Sequence, residues 1–254
     1  MKRFLKFIVR TIPRPMLIRL GSAFSFIFVW FYKGDKYECP ICGGKFRKMF
    51  PWGNKGWDNR LCPKCLSLER HRLIWLYLQN KTGFFSAPLK MLHVAPEQPF
   101  IKRFKALKNL DYTTADLVSP IADVKMDIQD IPFADNTFNV VMCNHVMEHI
   151  PNENKALREV YRVLKKGGWA ILQVPINYQS KETYEDVSIT DPKEREKHFG
   201  QYDHLRYHGL DYKLRLEGGG FTVIEDDYLM SFDEPTRDKY RLPEKEIIYL
   251  CKKD

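Results

Sequence analysis

From Lys90 onward, short apolar runs alternate with stretches whose apolar residues recur at helical spacing. The runs at 90–95 (KMLHVA), 111–116 (DYTTAD), 138–143 (FNVVMC), 169–174 (WAILQV), 221–225 (FTVIE) and 246–251 (EIIYLC) read as strands. Residues 98–109, 153–165 and 208–217 read as helices. FNVVMC is continuously apolar, as a parallel strand buried on both faces must be. Strand and helix alternating over so long a stretch predict an α/β fold, a Rossmann-like doubly wound sheet. The run Leu164-Lys165-Lys166-Gly167-Gly168 supplies a helix stop, with lysines at the negative end and a glycine for the left-handed cap.

The pattern before Lys90 is different. Residues 68–81 have the spacing of a helix, with Ser67 as its N-cap. Residues 3–32 are apolar with scattered positive charge, and Pro13 and Pro15 divide them. The run Met16 to Tyr32 contains Arg19 and falls short of the about 20 apolar residues that span a bilayer. Tyr32-Lys33-Gly34 lacks the small residues of a signal-peptide cleavage site. The segment predicts basic amphipathic helices lying in a membrane interface, with Trp30, Phe31 and Tyr32 as the interfacial belt. Packing of these helices on the rest of the chain is the alternative. Three regions follow: amphipathic helices over 1–35, a cysteine module with its linking helix over 36–86, and an α/β domain over 87–254.

Charge sharpens that division. The chain carries a formal +9 over 254 residues. Residues 1–35 hold seven Lys/Arg and one Asp (+6), and residues 36–86 hold ten against three (+7), so the remainder is 9 − 13 = −4. A basic front implies an anionic surface as its partner, lipid or nucleic acid. Four of the six cysteines form two CxxC pairs, Cys39/Cys42 and Cys62/Cys65, the spacing of a structural zinc ribbon in a reducing compartment. Cys143 and Cys251 lie in apolar segments and read as buried small hydrophobes.

Residues 126–175 (MDIQDIPFADNTFNVVMCNHVMEHIPNENKALREVYRVLKKGGWAILQVP) resemble the class I S-adenosylmethionine-dependent methyltransferases. The resemblance implies a cofactor at the C-terminal ends of the strands. Asp116 would then accept from the ribose hydroxyls. Asp127 and the backbone of Ile128 would meet the adenine, and Asn144 and His145 would face the transfer centre. The family's first loop is glycine-rich, whereas here it reads His93-Val94-Ala95-Pro96-Glu97-Gln98-Pro99. Ala95 and Glu97 stand where the first two glycines would be, and Glu97 could meet the cofactor's amino group as a carboxylate. His145 and His149, four apart, form a possible metal pair if the segment is helical, although pocket lining and packing explain them better.

A polar insertion, Asn177 to Tyr207, ends in His198-Phe199-Gly200-Gln201-Tyr202-Asp203-His204-Leu205-Arg206. Insertions of this length are commonly lids or binding segments. His198 or His204 reads as a base, Asp203 as its orienting partner and Arg206 as the holder of an anionic group. A polar capping network is the competing reading. The functional expectation is a cytoplasmic methyltransferase peripheral to the inner face of a membrane, acting on a small-molecule, lipid or glycan acceptor. An RNA methyltransferase and a non-catalytic adaptor are the rivals.

Overall fold

The computed structural model describes residues 29–53 and 56–254. In chain order the elements are β1 (Lys33–Glu38), β2 (Lys45–Phe46), β3 (Phe50–Trp52), β4 (Trp57–Leu61), α1 (Glu69–Lys81), β5 (Leu89–Val94), α2 (Gln98–Lys105), β6 (Leu110–Asp116), β7 (Val124–Lys125) and β8 (Phe138–Asn144). A 3-10 turn (Met147–His149) leads into α3 (Glu153–Val163), β9 (Leu164–Gln173), β10 (Tyr184–Glu185), α4 (Pro192–Phe199), β11 (Arg206–Tyr207), α5 (Tyr212–Gly218) and β12 (Thr222–Asp226). A second 3-10 turn (Tyr228–Ser231), α6 (Glu234–Tyr240) and β13 (Ile248–Lys252) complete the chain.

Seven strands form one sheet in the order β12-β13-β9-β8-β5-β6-β7. Strands β5 to β9 pair in parallel, while β13 runs antiparallel to both β9 and β12. The chain winds outward from β5 in one direction and returns to begin again at β8, which makes the β5/β8 boundary the switch point. Val141, Cys143, Leu172 and Cys251 are fully buried, as their apolar runs require. Helix α3 presents Ala156, Leu157, Val160 and Val163 to this core, and Asn152 caps it by accepting from the Lys155 amide. Gly167 takes the left-handed conformation (φ +75°) where the chain turns within β9. The Rossmann-like α/β expectation is met.

The small strand β7 and helices α4 and α6 escape the sequence pattern. Both helices carry readable start signals. Asp191 accepts from two amides ahead of Pro192, and Asp233 accepts from the Thr236 amide ahead of Pro235. They bury almost nothing, Phe199 in α4 and no residue of α6, so apolar periodicity could not reveal them. Ser67 is not the N-cap of α1. That position belongs to Leu68, whose amide donates to Nδ1 of His71.

The chain divides into two units, residues 1–83 with 229–246, and residues 84–228 with 247–254. The division falls after Gly83, and residues 229–246 interrupt the α/β unit. Residues 229–246 join the N-terminal unit because Arg72, itself buried, donates to the carbonyls of Ser67, Arg60 and Arg241, and Lys239 pairs with Glu38. Of the expected amphipathic helices, residues 1–28 lie outside the described residues. Residues 29–32 are helical, and the chain is already a strand at Lys33. Among the described residues no helix is long and apolar enough to cross a membrane.

Gln173 joins the parallel sheet to its antiparallel edge. Its Nε2 donates to the Ile247 carbonyl at 2.7 Å and its Oε1 accepts from the Tyr249 amide at 2.8 Å. Gln173→Met leaves both backbone groups buried without partners, at about 1–3 kcal/mol each. Chemical denaturation should show a loss of about 2–4 kcal/mol, with no loss if water replaces the amide.

Candidate functional site

The two CxxC pairs fold as matched knuckles. The Cys39 amide donates to the Gly44 carbonyl and the Gly43 amide to the Cys39 carbonyl; Cys62 with Ser67, and Leu66 with Cys62, repeat the pattern. The fourth residue after each first cysteine is left-handed, Gly43 at +63° and Leu66 at +58°. This geometry brings Sγ of Cys39 to 3.6 Å from Cys65 and Sγ of Cys42 to 3.7 Å from Cys62. Those separations are far too long for disulfides. A tetrahedral ion with metal–sulfur bonds of about 2.3 Å sets sulfurs about 3.8 Å apart, so the four thiolates suit zinc. Ser67 Oγ lies 3.3 Å from both Cys39 and Cys65, and supports the cluster.

In the α/β unit the first loop replaces glycines with a polar relay. Ala95 adopts φ +48°, the left-handed conformation a glycine would hold without strain, and its amide donates to the Ala115 carbonyl. His93, fully buried, places Nδ1 2.8 Å from the Tyr112 hydroxyl and Nε2 2.8 Å from Glu97 Oε2. Asn144, at the end of β8, donates to both Glu97 oxygens at 3.2 and 3.3 Å. Burial, helped by the charges of Glu97 and Asp123, pushes the Tyr112 hydroxyl above its ordinary pKa, so it stays protonated. The structure thus brings Glu97 and Asn144 together across the switch point. The Oδ1 of Asn144 is buried without a partner.

Asp116 and Asp127 sit at the expected strand and loop ends, but each already caps its own turn. Asp116 Oδ1 accepts from the amides of Val118 and Ser119, while Oδ2 takes part in neither bond. Asp127 accepts from the Gln129 amide and side chain. The side chain of Ile128 is buried in the core, leaving its backbone for any ligand contact. His145 is left-handed (φ +55°), with its Nδ1 3.5 Å from Glu148 Oε1.

His145 and His149 do not pair on a helix, because Met147–His149 is a 3-10 turn entered through the left-handed His145. The ring of His149 instead meets His204, with centroids 4.7 Å apart. His204 is buried, and its Nδ1 lies 3.1 Å from the Phe199 carbonyl. Burial lowers its pKa and favours the neutral imidazole. His198 projects from α4, half-exposed, 3.6 Å from Glu194. Arg206 is not available to hold an anion. Its guanidinium is spent on Glu185 and on the carbonyls of Met147, Ile150 and Pro151. Sequence reasoning missed His93, Tyr112 and Glu148, since a buried polar residue inside a strand or turn leaves no periodic signature.

A pocket of about 420 Å³ opens beside α3, lined by Asn152, Glu153, Glu185, Arg206 and Arg215. Glu153 accepts from His208 Nε2 and Arg215 Nε, both at 2.6 Å. Burial pushes its carboxyl up, but His208 and Arg215 outweigh this and hold it below the ordinary value. A depressed folded pKa stabilises above the unfolded value of about 4.3 and is lost as pH falls through the folded one. Glu153→Gln should therefore lower the melting temperature at pH 7 and narrow the gap from wild type below pH 4. A gap that does not change with pH would contradict the ionic role.

Residues 82–172 match the family described as Methyltransferase domain. A sterol 4-C-methyltransferase of Caenorhabditis elegans is 33% identical over 85 residues, 33% of this chain and 22% of the relative. A ubiquinone/menaquinone biosynthesis C-methyltransferase of Haemophilus ducreyi is 40% identical over 52 residues, 20% of each chain. The match thus spans about a fifth of the length of these curated relatives. Among solved structures, an S-adenosylmethionine-dependent methyltransferase of Mesorhizobium loti aligns at 12% identity and TM-score 0.44, covering 70% of this chain and 96% of that one. Residues 82–172 are therefore similar to a methyltransferase domain.

Proposed function

We propose that the protein transfers a methyl group from S-adenosylmethionine to a lipid-like acceptor at a membrane surface. The observation that carries this reading is the Glu97 carboxylate, held by His93 and Asn144 at the strand switch of a methyltransferase domain. S-adenosylmethionine, when bound, supplies an electrophilic methyl group on a sulfonium. Glu97 is the acceptor for its ammonium group, and the unsatisfied Asn144 Oδ1 is a second acceptor beside it. Asp116 Oδ2 serves the ribose hydroxyls, and the Asp127–Ile128 backbone edge serves the adenine. His93 and Asn144 fix the carboxylate before ligand arrives, and this preorganisation lowers the ordering cost of binding. Methyl transfer depends mainly on in-line alignment. Neither His198 nor His204 needs to remove a proton early for such a step.

The acceptor reading rests on two supports. The relatives are named for sterol and quinone chemistry, and both acceptors are apolar. The N-terminal unit exposes Trp30 (74%), Phe31 (57%), Trp52 (53%) and Trp57 (50%) on a module that is +7 over residues 36–86. Trp52 and Trp57 face each other across the β3–β4 hairpin. Exposed aromatics among lysines and arginines suit the headgroup layer of an anionic bilayer. Zinc at Cys39, Cys42, Cys62 and Cys65 would brace that unit.

Calorimetry with S-adenosylmethionine tests the cofactor reading. Wild type should bind, and Glu97→Gln should weaken binding about tenfold or more, the loss of one charge-assisted hydrogen bond. Unchanged affinity would reassign the carboxylate to structure. Transfer of labelled methyl groups into lipid extract, with ribosomal RNA as the parallel acceptor, tests the acceptor class. Incorporation into RNA alone would select the rival reading.

Chelation tests the zinc. Stripping the metal should unfold the N-terminal unit, since structural zinc binding is itself folding free energy. Circular dichroism and limited proteolysis within residues 36–83 report it. Resistance to proteolysis after removal would show that the thiols pack without metal.

A further inference from the structure

Outside the cysteine cluster, one group of side chains has the composition and the unmet valence of a metal site. Glu148, His149 and His204 each offer a ligand atom, and these atoms all lie within 4.8 Å of one another. Glu148 and His204 are buried to 1% and 3% exposure, yet Glu148 Oε2 and His204 Nε2 have no hydrogen-bond partner. An unsatisfied buried polar atom is costly, and two on residues of one such cluster ask for a partner.

The hydrogen bonds around the group prepare it for a cation. His204 Nδ1 lies 3.1 Å from the Phe199 carbonyl and His149 Nδ1 lies 3.2 Å from the Asp203 carbonyl. A carbonyl only accepts, so each Nδ1 carries the proton and each Nε2 presents its lone pair. That is how metal-bound imidazoles are oriented. His145 Nδ1, 3.5 Å from Glu148 Oε1, leaves Oε2 to point elsewhere. Two segments of the chain are clamped to make the arrangement. The Leu205 amide donates to the Glu148 carbonyl at 2.8 Å, and Arg206 Nη1 donates to the Met147 and Ile150 carbonyls at 2.7 Å.

We propose that Glu148, His149 and His204 form a mononuclear site for a divalent first-row transition metal ion, distinct from the four-cysteine cluster. Two imidazoles and one carboxylate select zinc, iron(II), cobalt(II) or nickel(II) over magnesium or calcium, which prefer all-oxygen shells. Three protein ligands leave a coordination position open. The site follows β8 directly, so the ion would pin the 177–207 insertion to that strand end. It also uses the lone pair that a general base at His204 would need.

The test uses the full chain with zinc at the cysteines, titrated with cobalt(II). A second equivalent should bind, with visible d–d absorption but without the near-ultraviolet thiolate-to-cobalt band. His204→Gln and Glu148→Gln should abolish that equivalent, and His198→Ala, on the exposed side of α4, should retain it. Circular dichroism of each variant checks the fold. Wild type that takes up no cobalt beyond the cysteine site overturns the proposal, and so does uptake that persists in His204→Gln. Neither outcome depends on methyl transfer, so the proposal and the enzymatic reading can fail separately.

Discussion

Glu97 lies in the loop after β5, and its carboxylate is held by His93 from within that strand and by Asn144 from the end of β8. These two strands flank the point where the winding reverses, and the chain must open there because the helices on either side depart in opposite directions. A parallel sheet covered on both faces has little place for polar chemistry except the ends of its strands. The buried imidazole of His93 carries the constraint inward to Tyr112 on β6, so three neighbouring strands register on one carboxylate. The loop after β5 carries a fixed negative charge at Glu97, and Ala95 within it holds a left-handed backbone.

The fold was largely legible in the sequence. The continuously apolar β8 and the amphipathic α3 follow from spacing alone, whereas β9 begins at Leu164, five residues before the expected start. The cysteine cluster was equally plain, because paired CxxC turns depend on local geometry. What escaped depends on contacts between residues far apart in the chain. Glu148 looks like an ordinary surface residue of a helix start. It is buried because a segment more than fifty residues later folds over it. Arg206 looked like an anion binder for the same reason, since the carbonyls that consume it lie in the turn at 147–151.

The polar insertion illustrates how a loop becomes a fixed part of a site. It contributes β10, α4 and β11, and its short strands pair with each other through Tyr184 with Tyr207 and Glu185 with Arg206. The segment at 203–206 then docks on the 3-10 turn after β8 through backbone bonds and one buried guanidinium. Interactions of this kind hold position more strictly than apolar contact, because a buried carbonyl has few acceptable donors. The histidines that this docking brings together are consequently rigid, unlike residues carried on an open lid.

The return of residues 229–246 to the N-terminal unit has a consequence for biosynthesis. Arg72 leaves the ribosome 169 residues ahead of Arg241, whose carbonyl can accept from it only once it too has emerged. Until then a buried guanidinium lacks one of its acceptors, and the module around the cysteines stays incomplete. The same late segment directly precedes β13, the strand that inserts between β9 and β12. Completion of the first unit and closure of the large sheet therefore both wait on the stretch from residue 229 to β13.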